Sequence, residues 1–316
     1  MHPAFSVIFF TTASGAGFGL FAWIGWIALT SEFPNRSAWG IALAVGAVFA
    51  VAGLLSSLAH LGKPTRAWRA FGQWRSSWLS REGVLATACL LVALWLGFTL
   101  WKIHPPAVDG MWNVPTTTIH IAGALLLALS LATIVCTAMI YASLKPIPAW
   151  RHPFVIPVYL AFAAYTGYLL GAVALSSSSL DPILVITGAV LVLLLKLAAW
   201  RYVDRERVPI SRNSALGLPH ARPVQVFERP HTEANYLLKE MGYVLARKHA
   251  RKLRLIAMLL FSAIPAALAL LLWLLGPEFA GGVALVWLAL ASALAGALVE
   301  RWLFFAEARH LVTLYY

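Results

Sequence analysis

HLGKPTRAWRAFGQWRSSWLSRE, residues 60–82, joins the end of one long apolar run to the start of the next. A histidine closes the first run and a glutamate opens the second. Between them Lys63, Arg66, Arg69, Arg75 and Arg81 are interleaved with Trp68, Trp74 and Trp78. Tryptophan and arginine are anchors of the lipid–water boundary. The stretch therefore reads as a loop at one face of a membrane, with an ionisable group at each end. Such groups at membrane depth are costly, so they are functional candidates by default.

Outward from this loop the chain is strongly apolar. It is 61% hydrophobic and 11% charged over 316 residues, against about 25% charged in an average soluble domain. Eight runs are long enough to cross a bilayer, at about 4–29, 38–61, 82–103, 117–142, 153–175, 182–203, 253–275 and 280–305. Helices are the form these runs must take, because hydrocarbon offers a backbone no hydrogen-bond partner. The expected fold is an all-α membrane protein. It is a bundle of eight transmembrane helices forming one integral domain over 1–316, with a long loop, 204–252, between helices six and seven. The opening MHPAFSVIFF has no Lys or Arg ahead of its apolar stretch, so it reads as the first span rather than as a removable signal.

Charge orients the bundle. Of the 24 lysines and arginines, all but Arg36, Lys102 and Lys196 fall on the side that holds both termini and loops 2–3, 4–5 and 6–7. The positive-inside rule makes that side cytoplasmic. The net charge of +12 then belongs to membrane loops and not to nucleic-acid binding. A basic face can also be a docking surface for an acidic partner.

Individual features carry two readings each. Gly15, Gly17 and Gly19 in SGAGFG lie inside a continuous apolar run, which favours close helix packing over a bare backbone admitting a flat ring. Residues 65–76 have the composition of a short interfacial helix. Ser80 reads as the N-cap of the third span, with Glu82 in its first turn. Glu82 is thus either an acid favoured by the helix dipole or a proton-transfer group. Lys196 can snorkel to the interface, and Glu300 can pair with Arg301 or with another helix. In loop 6–7 the stretch HTEANYLLKEMGYVLARKHARKLR reads as an amphipathic helix capped by Thr232, with Leu237, Met241, Val244 and Leu245 at helical spacing. Its basic end, including Arg247, Lys248 and Arg251, faces either anionic lipid or a soluble partner.

A quinone site at a membrane face needs an apolar slot, a hydrogen-bond donor and a proton-transfer group in touch with water. Glu82 supplies the last and His60 the donor, with Lys63, Trp78 and Arg81 around them. A membrane haem usually takes two histidines at similar depth. His120 lies near the opposite face from His60, and His152, at the depth of His60, borders a loop, so no pair reads as intramembrane. Cys89 and Cys136 lie singly in apolar runs, too few for an iron–sulfur cluster, and no metal-ligand set stands out.

The motifs His60-Leu61-Gly62-Lys63-Pro64, Arg66-Ala67-Trp68 and Ser77-Trp78-Leu79-Ser80-Arg81-Glu82 resemble the signature of dimethyl sulfoxide reductase anchor subunits (DmsC-like). The opening HPAFSVIFFTTASGAGFG and the segment from Asn235 to Lys252 are similar too. Within the family the resemblance is strongest to the membrane anchor subunit of sulfite dehydrogenase (quinone). It implies a non-catalytic-centre subunit in a bacterial inner membrane, with both termini cytoplasmic. Electrons would pass between an iron–sulfur electron-transfer subunit and exchangeable ubiquinone or menaquinone, with a molybdopterin catalytic subunit beyond. The chain itself would hold neither haem nor cluster. His60 and Glu82 match the family's quinol-site histidine and essential carboxylate. Arg66, Arg69, Arg75, Arg247, Lys248 and Arg251 would face the partner. A dimethyl sulfoxide reductase-type anchor oxidising menaquinol, a small-molecule or ion transporter, and a purely structural anchor are the rival readings.

Overall fold

A computed structural model describes residues 4–30, 36–102, 116–177, 180–205, 210–218, 222–225, 227–228, 245–276 and 278–314; the side chains of Arg36, Ser37, His60, Trp101, Lys102, Leu245 and Ala246 are outside that description. The expected amphipathic helix of loop 6–7 falls mostly on 231–244, outside the described residues, as do Thr232, Leu237, Met241 and Val244.

The described residues are helical, without strands, and eight segments are long and apolar enough to cross a membrane. The protein is a multi-pass membrane protein. Six spans are single helices: α1 (Phe5–Thr30), α2 (Arg36–Ser56), α3 (Trp78–Lys102), α4 (Thr116–Ala142), α5 (Val155–Ala174) and α6 (Pro182–Arg205). A short α7 (Arg212–Ala215) follows. The seventh span combines α8 (Leu245–Met258), a π turn (Leu259–Ala263) and α9 (Ile264–Leu275). The eighth is α10 (Gly282–Ala306).

The third and seventh spans begin earlier in the chain than hydropathy places them. Their first turns carry charge, which hides them from an apolar window. Arginine, lysine, leucine and alanine are nevertheless strong helix formers. Ser80 is consequently not an N-cap: it lies inside α3, and its hydroxyl donates to the Ala70 carbonyl. That bond ties α3 to the preceding 3-10 helix, Pro64–Gln73, which is the expected interfacial helix. Three residues per turn put Trp68, Phe71 and Trp74 in one exposed stripe, with Arg66 and Arg69 in another.

The π turn has a local cause. Pro265 has no N–H, and its ring crowds the carbonyl four residues back, so the helix widens just before it. A neighbouring helix satisfies part of the displaced backbone, Ser292 donating to the Leu260 carbonyl at 2.7 Å, and the turn's own Ser262 donates to the Ala189 carbonyl of α6 at 3.2 Å.

α1 and α5 are the inner helices, buried along most of their length. α1 packs on α2, α4 and α5, and α10 packs on α5, α8 and α9. The crossing of α1 and α5 depends on absent side chains. A Cβ on Gly19 would overlap the Ala163 carbonyl, and one on Gly167 would overlap Gly19. Gly17 meets the α2 backbone at Ala50 and Gly46 in the same way. The packing reading of SGAGFG therefore holds for Gly17 and Gly19. Gly15 differs: its Cβ position has nothing within 4 Å.

Gly19→Ala is expected to destabilise the bundle by about 1–3 kcal/mol through overpacking, with Gly15→Ala near neutral. Thermal unfolding of the two variants in one detergent provides the comparison.

Candidate functional site

Glu82 owes its position to a buried stripe. Beyond Ser80, the buried residues along α3 are Glu82, Ala86, Cys89, Ala93, Leu96 and Leu100. Their spacing alternates four and three, the period of one helix face. Glu82 continues this stripe by one turn toward the basic side, so its carboxyl turns inward against α4. It is 3% exposed. The loop before it fixes the start of the helix. Arg81 donates to the Trp74 carbonyl at 3.0 Å and the Arg75 carbonyl at 2.6 Å, with its guanidinium 4.3 Å over the Trp78 ring. The neighbouring Gly83 lies against the Phe71 ring.

The carboxyl's partner is the hydroxyl of Thr137 on α4. Thr137 also reaches the Thr133 carbonyl at 3.1 Å. A hydroxyl has one proton to give and two lone pairs to receive with. It can donate to an ionised Glu82, or it can accept from a protonated Glu82 while donating to Thr133. Both charge states of the acid therefore find a partner at the same place.

The other buried charges are arranged differently. Lys196 continues the buried stripe Val185, Ala189 and Val192 of α6, and Glu300 continues Ala289, Ala293 and Ala297 of α10. Lys196 does not snorkel. It is 4% exposed, with Nζ 2.5 Å from Glu300 Oε1 and 4.9 Å from the Trp200 ring centre. Arg301 Nε lies 3.1 Å from the other oxygen, Oε2, and its guanidinium covers the Tyr159 ring at 3.8 Å. One carboxylate thus answers two cations. Among the described residues the buried charged side chains are Glu82, Lys196, Glu300 and Arg301, two of each sign.

Nearer the basic surface Arg254 binds Asp204 at 2.6 and 3.0 Å and Glu307 at 2.6 and 3.1 Å. It joins the ends of α6, α8 and α10. Beside this clamp a pocket of about 430 Å³ is lined by Arg247, Arg254, Glu307, Arg309 and His310 among others. His152 sits between Phe154 and Tyr202, where its Nδ1 accepts from the Phe154 amide at 3.2 Å. Burial and the nearby Lys196 ammonium push it down to about 4, so it is neutral at physiological pH. Burial alone lowers His310.

The expected site residues separate accordingly. Glu82 is inward-facing, Trp78 and Arg81 are half-buried at its loop, and Lys63, Arg66, Arg69 and Arg75 are exposed. His60 closes the 3-10 turn Ser57–His60, and its side chain is outside the described set. Lys248 and Arg251 are exposed and Arg247 is half-buried. His120 is on α4 and exposed, near the end opposite Thr137. Cys89 and Cys136 are buried thiols on α3 and α4. Sequence reading misses Thr137, Tyr159 and the Arg254 clamp. The usable signal for Thr137 is its register with the small and polar inner face of α4, Ser130 and Thr133.

The whole arrangement has relatives. Residues 1–306 match the family model described as "DMSO reductase anchor subunit (DmsC)". The chain is also similar to a sulfite dehydrogenase subunit from Allochromatium vinosum, at 33% identity covering 100% of this chain and 99% of that protein.

Removing Glu300 strands two buried cations, whereas removing Lys196 leaves Glu300 with Arg301. Glu300→Leu is therefore expected to cost about 3–5 kcal/mol, and Lys196→Met clearly less, in denaturation of the detergent-solubilised protein. His152 supplies a pH term. Its folded pKa lies below the unfolded value, so the unfolded state binds more protons and stability rises with pH between about 4 and about 6.5. Melting temperatures across that range should fall on acidification in the parent, and fall less in His152→Asn.

Proposed function

The chain belongs to the DMSO reductase anchor subunit (DmsC) family, and from that premise we propose that it is the quinone-reactive anchor of a molybdopterin oxidoreductase that oxidises sulfite at the cytoplasmic face. The observation that carries the reading is Glu82, a buried carboxyl that, among the described residues, is held by a hydroxyl and pairs with no cation. An ion-paired carboxylate such as Glu300 is held ionised at rest by its two cations. Glu82 is not, which is what a proton-transfer group requires.

In this reading the quinone ring enters beneath the 3-10 helix Pro64–Gln73. Phe71, resting on Gly83, and the exposed Trp68 and Trp74 give that entrance an aromatic rim. His60 donates a hydrogen bond to one quinone oxygen, and Glu82 delivers a proton to the ring. Trp78 and Arg81 shape the wall through the loop contacts already described, and Lys63 lies at its mouth. Reduction consumes two electrons and two protons. The electrons come from sulfite through the clusters of an iron–sulfur subunit, and the protons from the basic, cytoplasmic side.

The exposed cations Arg66, Arg69, Arg75, Lys248 and Arg251, with Arg247, form the docking face for that subunit, and the 204–252 loop is part of it. Sulfite is chosen as substrate because the full-length relative is a sulfite dehydrogenase subunit and because the charge bias supports partners on the cytoplasmic side. A reductase of the same family would run the site in reverse. A solute transporter is the rival class, and the full-length similarity to an oxidoreductase subunit favours the anchor.

Glu82→Gln should leave the complex assembled and the dye-linked activity of the catalytic partner intact, while quinone turnover drops by about 10²-fold or more. Undiminished quinone turnover in that variant would falsify the assignment. An isolated chain that purifies without molybdenum or iron and transports a solute would replace it.

A further inference from the structure

The cavity at the centre of the bundle is small, and hydroxyls and one guanidinium line it among apolar side chains. It lies where α1, α4, α5 and α10 meet, with about 20 Å³ available to water centres, room for about one ordered water. Most hydroxyls around it are committed within their own helices. Thr11, Ser14 and Thr166 each donate to a carbonyl about one turn back. Three polar groups are not. Thr12 Oγ1, the Tyr159 hydroxyl and Arg301 Nη1 make no hydrogen bond of good geometry among the described residues, Tyr159 lying beside the Arg301 guanidinium. They come from three different helices and are 8%, 5% and 3% exposed. Leaving each one dry would cost about 1–3 kcal/mol, and water in the cavity removes that cost.

What borders the cavity gives it a direction. Thr137, the partner of Glu82, is one wall. Arg301 is another, and beyond it stand Glu300 and Lys196. Tyr159 lies within electrostatic reach of Glu82, Glu300 and Arg301 together. The order of contacts is Lys196, Glu300, Arg301, cavity, Thr137 and Glu82.

We propose that this cavity is a hydrated proton relay joining the buried Lys196–Glu300 pair to Glu82, with the Thr12 and Tyr159 hydroxyls orienting its water. The proposal rests on the reading of Glu82 as the quinone-site acid. The Lys196 ammonium gives a proton to the Glu300 carboxylate, which leaves a neutral amine beside a neutral carboxyl. Glu300 passes the proton to the cavity water, and the water passes one on through Thr137 to the Glu82 carboxylate. Glu300 is again ionised, and the Lys196 amine is reprotonated from the basic side. The net change is one proton moved from that side to Glu82. Arg301 stays charged throughout. It holds Glu300 ionised at rest and is a positioning residue.

The test uses the assembled complex in lipid nanodiscs with Thr12→Val, Tyr159→Phe, Glu300→Gln and Glu82→Gln. Quinone turnover in the first three should fall roughly 10- to 100-fold, with dye-linked activity unchanged. The solvent deuterium isotope effect on quinone turnover should rise, because proton delivery becomes limiting. Thr12→Val and Tyr159→Phe carry the decision even where Glu300→Gln does not assemble, since each deletes only a hydroxyl. If Glu82→Gln is inactive but both hydroxyl variants keep the parent rate, the relay is wrong and the quinone-site reading stands. A slower rate with an unchanged isotope effect marks a packing defect and overturns the relay as well. Full activity of Glu82→Gln removes both readings. A high-resolution map should show ordered density bonded to Thr12, Tyr159 and Arg301, and a dry cavity there would contradict the proposal.

Discussion

A charge inside a bilayer must be answered by another charge or by a proton, because no solvent is present to do it. The core of this protein is organised by that constraint. Two acids and two bases are buried near the basic ends of α3, α6 and α10, and their signs balance. The balance is unevenly distributed. Glu300 takes both cations, Lys196 and Arg301, while among the described residues Glu82 meets a threonine hydroxyl. Three of the four charges are paired with one another at rest, and the fourth has no ionic partner among the described residues. The chemistry proposed for the protein follows from that division.

The rest of the bundle serves to hold the division in place. Glycine contacts between α1 and α5 let two inner helices approach closely enough for Thr12 and Tyr159 to border one small cavity. The π turn before Pro265 and its serine bonds lock the seventh span to α6 and α10, the helices that carry Lys196 and Glu300. On the basic face, Arg81 and Ser80 staple the loop to the start of α3, so the turn that carries Glu82 is fixed from both directions. The role we propose for an anchor subunit of this family asks little more of its own chain than a shaped boundary and a path for protons. Electron carriers and substrate chemistry belong to the partners we propose.

Much of this is legible in the sequence. Eight apolar runs give eight spans, and the motif around His60 and Glu82 gives the family. Boundaries fail where charge enters a helix, at Arg81–Glu82 and at Arg247–Arg254, because a hydropathy window sees charge as an end. The same effect makes Ser80 look like a cap, although the helix has already begun there. Glu82 stands between cap and proton carrier on composition alone, yet its register with Ala86, Cys89 and Ala93 turns it inward. Lys196 reads as a snorkelling side chain because one helix cannot show which face of another it meets. Convergence of Lys196 with Glu300, and of Thr137 with Glu82, depends on helix order and rotation, which no local pattern encodes.

The central claim is that Glu82 gains and loses a proton as quinone turns over. Infrared difference spectroscopy of the assembled complex, recorded as bound quinone is reduced and reoxidised, reads that event directly. The account predicts a protonated-carboxyl band that changes with quinone redox state and is absent in Glu82→Gln. A carboxyl band that persists in that variant, or no carboxyl change at all in the parent complex, would contradict it.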